Sequence, residues 1–431
     1  MQEIKRDKYL KKFISKKGNG LIKVITGIRR SGKSYLLFNI FKDYLINNGI
    51  SDKQIISISL DDDSKLEYRN TQKLSKYIRS KIKDKNKQYY VLIDEIQYAI
   101  TKKELKSNSD IDLYAVLNGL MRLNNVDIYV TGSNSKLLSK DILTEFRGRS
   151  DSIEVFPLTF KEYYDFLGKE KAESLADFSL YGGMPFSLSL NSEEEKINYL
   201  RSLFTEVYFK DISERYDIEY PNIIDELTND LCSSIGSLTN STKISKTLNS
   251  VKGIKVSSPT ISTYLEYLTE SFLFRCAQRY DIKGKQYFSY PLKYYCVDVG
   301  LRNARLNFRQ IEETHIMENI IYNELICRGY AVDIGVIDLY TFDKDKNKKK
   351  IRCEIDFIVN KGAKKYYIQS ALNIDDPLKQ QTEIRPLLAT KDFFKKFIIT
   401  KTFMKPWQDN QGIIHIGIYD FLLNEEILDS F

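Results

Sequence analysis

One short run, Gly27-Ile28-Arg29-Arg30-Ser31-Gly32-Lys33-Ser34, constrains this chain more than any other stretch. It follows the β-branched segment Leu21 to Ile25 and opens into a helical stretch beginning near Lys33. Strand, glycine loop and helix in that order turn the pattern G-x-x-x-x-G-K-[ST] from a chance string into a phosphate cradle. Backbone N–H groups of the loop and the helix N-terminus converge on phosphate oxygens, and the glycines let the backbone come close. Lys33 then adds a charge on the β- and γ-phosphates, and the Ser34 hydroxyl becomes a ligand for Mg²⁺. Gly27 through Tyr35 are the expected nucleotide-binding residues, with ATP and Mg²⁺ as the cofactors.

The second half of such a site needs carboxylates at a neighbouring strand end. Val91-Leu-Ile-Asp94-Glu95 supplies them, at the end where open α/β sheets bind ligands. Asp94 is expected to hold Mg²⁺ and Glu95 to orient or deprotonate the attacking water. Val126 to Thr131 forms a further strand, and Ser133 and Asn134 follow it as polar groups within reach of a γ-phosphate or a water. Together with a strand at Gln54 to Leu60 and helical stretches between, these segments predict an α/β domain with a parallel sheet covered by helices.

A length of 431 residues is too long for one ordinary core, and 42% hydrophobic residues with 30 Tyr and 23 Phe argue for folded domains throughout. The expected division is an ATPase core over 1–155, a helical connector over 156–220, a winged-helix module over 221–310 and a last α/β domain over 311–431. Sixty-six basic against 58 acidic residues leave +8, which suits nucleic acid or another anionic partner without requiring one. Five cysteines without a CxxC pair, and only two histidines, argue against zinc and for free thiols in a reducing compartment. No signal-peptide pattern appears, and no apolar run approaches the ~18 residues that span a bilayer. A cytoplasmic protein with no membrane contact is the expectation.

The runs Gly27 to Ser34, Leu92 to Gln97, Thr131 to Ser139, Phe146-Arg-Gly-Arg149 and Tyr181-Gly-Gly-Met-Pro185 together resemble the AAA-type, STAND-related ATPases of bacteria and archaea whose C-terminal region is similar to PD-(D/E)xK nuclease folds. The resemblance implies a P-loop NTPase core, a winged helix and a restriction-endonuclease-like α/β domain. It makes Asn134 the sensor 1 residue and Arg149 a candidate arginine finger or sensor, with Arg147 equally available and action in cis or in trans both open.

Within the winged-helix segment, Pro259 to Ser271 reads as the recognition helix with Ser258 as its N-cap, and Lys285 to Val297 as a pair of strands. That helix carries Glu266 and Glu270 and no Lys or Arg; Lys243, Lys246, Arg279, Lys283, Lys285 and Lys293 are the basic residues that could meet DNA. Further on, Glu318, Glu354-Ile-Asp356 and Gln369-Ser-Ala371 line up with the acidic positions and the E-x-K strand of the nuclease fold. Gln369 stands where a metal-binding carboxylate belongs and Ala371 where lysine belongs, so the segment is expected to bind without cleaving. His315 with Glu318 could mimic a ligand pair, although a lone helix histidine is more often solvated or packed. The functional expectation is an ATP-hydrolysing switch whose C-terminal modules bind DNA. The alternatives are a signalling or scaffold NTPase that docks protein, alone or as an oligomer, and an ATP-dependent nuclease.

Overall fold

The structure, a computed structural model, describes residues 3–101, 104, 112–132, 148–209, 212, 213, 216, 218–251, 253–309, 311–342 and 348–431. The chain forms two compact units, Met1–Pro157 with Glu270–Phe272, and Leu158–Thr269 with Leu273–Phe431. The divisions expected at 220 and 310 both fall inside the second unit.

The first unit is built on five parallel strands, β1 (Ile22–Thr26), β2 (Ile55–Ser59), β3 (Tyr89–Asp94), β4 (Val126–Thr131) and β5 (Ser150–Glu154), in the order β2-β3-β4-β1-β5. Because side chains alternate across a strand, Val91 and Ile93 face one apolar layer while Tyr90 and Leu92 face the other. The first layer is covered by α4 (Thr71–Lys81) and α5 (Asp112–Met121). The other is covered by α1 (Asp7–Lys16) and by α2 (Lys33–Tyr35), which runs through a π-helical stretch (Leu36–Phe41) into α3 (Lys42–Asn47). The lysine-rich helix α1 joins this layer by burying Tyr9 and Phe13. β5 goes unnoticed in the sequence because Ser-Asp-Ser-Ile-Glu is polar; it is an edge strand, and only Ile153 is buried.

The second unit opens with α6 (Phe160–Leu167), α7 (Lys171–Tyr181) and α8 (Glu193–Ser202). Then come α9 (Pro221–Ser233), β6 (Leu238–Thr239), α10 (Ser241–Val251), α11 (Ser258–Glu270), β7 (Phe274–Asp281) and β8 (Gln286–Cys296). The strand pair therefore begins at Phe274 and not at Lys285, which sits in the turn with φ +51°. The cap of α11 is also one residue earlier than expected, with Ser257 Oγ accepting from Thr260 N at 3.2 Å. After α12 (Val299–Arg305) and α13 (Glu313–Cys327) come β9 (Ala331–Phe342), β10 (Lys348–Lys361), β11 (Lys364–Ala371), α14 (Pro377–Leu388), β12 (Lys395–Thr400), β13 (Trp407–Gln408), β14 (Ile413–Gly417) and α15 (Ile418–Leu423).

All nine of these strands form one sheet, ordered β13-β14-β12-β11-β10-β9-β7-β8-β6. β9, β10 and β11 meander antiparallel, β12 and β14 add parallel, and β7 joins β9 in parallel through Arg279–Asp281 and Ile334–Val336. The Tyr181–Pro185 turn is clamped from α12. The buried Asp298 carboxylate accepts from Gly183 N at 2.6 Å and Leu301 N at 3.0 Å, and burial pushes its pKa up to about 6. A Cβ at Gly183 would fall 2.3 Å from Leu158 O, so no larger residue fits.

Candidate nucleotide-binding site

The loop after β1 is held by contacts that only its own residue types permit. Gly27 has φ +133°, and a Cβ there would fall 2.1 Å from Val155 O. Gly32 at φ +93° and Arg30 at φ +63° complete the turn into α2. Behind the loop the Arg6 guanidinium donates to Ser31 O at 3.3 Å and to Phe156 O at 2.8 Å, and lies over the Tyr9 ring at 4.5 Å. Sequence reading missed Arg6, since a basic residue in a lysine-rich lead-in gives no signal that it is buried.

Lys33 is 3% exposed, and its ammonium donates at 3.0 Å to Gly27 O and at 3.0 Å to Ile28 O. Burial lowers its pKa to about 8 against the opposing fields of Glu95 and Asp94. Both hydrogen-bond partners are neutral carbonyls, and among the described residues one of the three ammonium hydrogens stays uncommitted. The Ser31 hydroxyl is buried without a partner among the described residues.

Asp94 is the last residue of β3, and its carboxylate accepts hydrogen bonds from the hydroxyls of Thr131 and Ser34. Burial raises its pKa and the two hydroxyls resist that shift. Thr131 Oγ1 also accepts from Glu95 N at 3.1 Å, so one β4 side chain aligns both carboxylates. The sequence reading placed weight on Asn134 and overlooked Thr131. The available signal was a β-branched hydroxyl closing the strand next to β3. Glu95 has φ +52°, a conformation costly outside glycine and typical of functional positions, and its side chain accepts from Gln97.

This donor set fits a magnesium nucleotide. Ser34 and Asp94 offer hard oxygen ligands already joined by a hydrogen bond, and Lys33 has a free N–H beside them. Asn134 and Arg147 lie outside the described residues. Arg149 is described and does not reach this site within its own chain. Arg149 O accepts from Ile22 N at 3.1 Å, and Ser150 pairs with Ile22 at the start of β1. The loop is at the other end of that strand, about 16 Å away at ~3.3 Å per residue.

The second unit gathers the other singled-out residues. Glu318 from α13 accepts from Tyr295 OH at 2.7 Å and from Lys293 Nζ at 3.1 Å, and Lys293 also meets Glu354 Oε1 at 2.7 Å. Lys293 is 4% exposed and Arg279 6%, so neither is a free DNA contact; Lys243, Lys246, Lys283 and Lys285 are exposed. Asp356 Oδ2 accepts from Ser370 N at 2.8 Å, while Gln369 accepts from Asp356 N at 3.3 Å and donates to Glu383 at 2.7 Å. His315 faces Glu312 at 3.7 Å, away from the Glu318 cluster, so the pair considered from the sequence does not form. Among the described residues no group of three or more His, Cys, Asp or Glu could hold a metal ion, and no helix is long and apolar enough to cross a membrane.

A parallel sheet with the P-loop on β1, acids on β3 and a hydroxyl strand between them defines an AAA-type P-loop ATPase domain, and residues 19–164 match the AAA domain family. Residues 172–312 match a domain family of unknown function. The chain belongs to the same family as an uncharacterized protein of Haemophilus influenzae, 33% identical over 97% of this chain and 98% of that one. An uncharacterized protein of Methanocaldococcus jannaschii is 31% identical over 84% of this chain and 76% of that one. Among solved structures, AMPPCP-bound DnaA from Aquifex aeolicus aligns at 16% identity over 63% of this chain and 89% of that chain, with a TM-score of 0.28.

Proposed function

We propose that this chain is an ATP-hydrolysing switch whose second unit binds DNA without cutting it. The observation that carries the reading is the convergence of Lys33, Asp94, Thr131 and Glu95 at the C-terminal ends of β1, β3 and β4. Lys33 would exchange its two loop carbonyls for phosphate oxygens, gaining charged partners in place of neutral ones. Magnesium, held by Ser34 and Asp94, would neutralise phosphate charge and order the phosphates. Glu95, fixed by its backbone bond to Thr131, orients and deprotonates the attacking water. Asn134 takes the sensor role that the resemblance gives it. Arg149, at the far end of β5, would act in trans, on the site of a neighbouring copy. Steady-state hydrolysis and ATP binding test the core: Glu95→Gln should bind ATP like wild type and hydrolyse it poorly, and normal hydrolysis by that variant rejects the assignment. For Arg149, turnover per copy that does not rise with protein concentration rejects action in trans.

In the second unit, the order α9-β6-α10-α11-β7-β8 supports a winged helix, and α13-β9-β10-β11-α14-β12 supports a restriction-endonuclease-like domain. Exposed Lys243 and Lys246 on α10, with Lys283 and Lys285 at the β7–β8 turn, are the phosphate-facing set. A protein-docking second unit is the competing reading. It is favoured by burial of Arg279 and Lys293 and by the absence of any Lys or Arg on α11. Filter binding across salt concentrations separates the two, since only phosphate contacts give a steep slope.

A further inference from the structure

The carboxylates of the second unit stand where a metal-dependent nuclease would keep its ion, and a lysine from elsewhere in the fold stands among them. We propose that the Lys293 ammonium occupies the cation seat of this centre and closes it to divalent metal. The proposal rests on reading the segment from α13 to β12 as nuclease-like.

Lys293 does not come from the E-x-K strand, where Ala371 has none to offer, but from β8. Its backbone is fixed on both sides, opposite Ala277 of β7 and Leu238 of β6, so the side chain is delivered to one place. There the ammonium bridges Glu318 Oε1 at 3.1 Å and Glu354 Oε1 at 2.7 Å. Burial disfavours its charge, yet Glu318, Asp356 and Glu354 outweigh that and hold the ammonium above its ordinary range.

One oxygen of each acid is already engaged. Tyr295 OH also donates to Glu318 Oε1, Ser370 N occupies Asp356 Oδ2, and Gln369 spends its amide on Asp356 N and Glu383. Gly236 covers the Glu318 side so closely that a Cβ there would fall 3.1 Å from Oε1. Mg²⁺ asks for a near-octahedral oxygen shell at ~2.0–2.1 Å, and a dication placed here would meet a fixed positive charge among ligands that are each already bonded at one oxygen. The same ammonium satisfies the buried carboxylates that an empty metal site would leave facing one another. Lysine 293 thus does the charge-balancing work of an ion while contributing no Lewis acid.

Mn²⁺ titration of the nucleotide-free full chain, followed by electron paramagnetic resonance, tests this in wild type, Lys293→Met, and each combined with Glu318→Gln. Wild type should show no Mn²⁺ uptake that Glu318→Gln removes, and Mn²⁺ should shift its melting temperature no more than it shifts that of Glu318→Gln. Lys293→Met should gain one Mn²⁺ that the added Glu318→Gln abolishes. Uptake by wild type that is lost in Glu318→Gln overturns the proposal, as does a folded Lys293→Met that gains none. Should Lys293→Met fail to fold, the wild-type and Glu318→Gln pair still decides. ATP hydrolysis, assayed in parallel, reports on the P-loop site alone and keeps failure of that reading separate.

Discussion

Each unit of this protein holds a buried lysine beside carboxylates, and the two lysines are used in opposite ways. Lys33 rests on the carbonyls of Gly27 and Ile28, with Asp94 and Glu95 close enough to feel but not paired to it. Lys293 is bonded directly to Glu318 and Glu354. A cation held by neutral groups at the mouth of a loop loses little by turning to an arriving phosphate. One bonded to two carboxylates would have to leave buried Glu318 with only the Tyr295 hydroxyl and half-buried Glu354 without its ammonium. Residue type and burial are nearly the same in the two places, so what separates a site waiting for a ligand from one that has supplied its own is the charge of the lysine's present partners.

The largest effect should come from the open side. Glu95→Gln is expected to lower hydrolysis by about 10²–10⁴-fold with ATP affinity retained, while Lys33→Ala loses binding itself; single-turnover kinetics and equilibrium binding distinguish them. On the closed side, Lys293→Ala should destabilise the second unit by ~3–5 kcal/mol in urea unfolding, because it takes the ammonium from the buried Glu318 carboxylate, with ATP affinity unchanged. A small loss there would mean that Lys293 is less committed than its geometry implies.

The comparison also has a pH signature. Without nucleotide Lys33 is already protonated below its pKa of about 8, so its contribution to ATP affinity should be flat there. Above pH 8 the amine must take up a proton as phosphates bind, and affinity should fall by up to about tenfold per pH unit. Calorimetry in buffers of differing ionisation enthalpy would register the proton uptake. Lys293, held charged, should add no such dependence. The smallest expected effect is at the surface: Lys283→Ala with Lys285→Ala should reduce the salt slope of DNA binding by about 2 while leaving hydrolysis unaltered.

The P-loop was legible because its chemistry is local. Glycines, lysine and serine at fixed spacing between a strand and a helix specify their own conformation, and the paired acids at the end of β3 needed only the preceding apolar run to be recognised. Thr131 and Arg6 were not legible, since each acts across a sheet or over a loop on a residue far away in sequence. Lys293 was misread for the same reason. In sequence it belongs to a basic wing, and only the pairing of β8 with β6 and β7 turns it inward. Arg149 shows a different limit. The polar strand β5 hides its own existence, and without its register nothing in the sequence says which end of the sheet the arginine occupies. Glu318, Asp356 and Gln369 could be singled out from the sequence, but the arrival of Lys293 from β8 among these acids could not.

The hydrogen bonds that join β7 to β9 at Arg279–Asp281 make the β6–β8 segment and the last α/β segment one sheet, and this governs how the unit comes apart. Neither half carries a complete sheet of its own: removing β6 to β8 bares the edge of β9, and removing the rest bares β7. Unfolding of residues 158–431 should therefore be a single cooperative event, and limited proteolysis near 310 should release fragments that precipitate or remain associated, not two independently soluble domains.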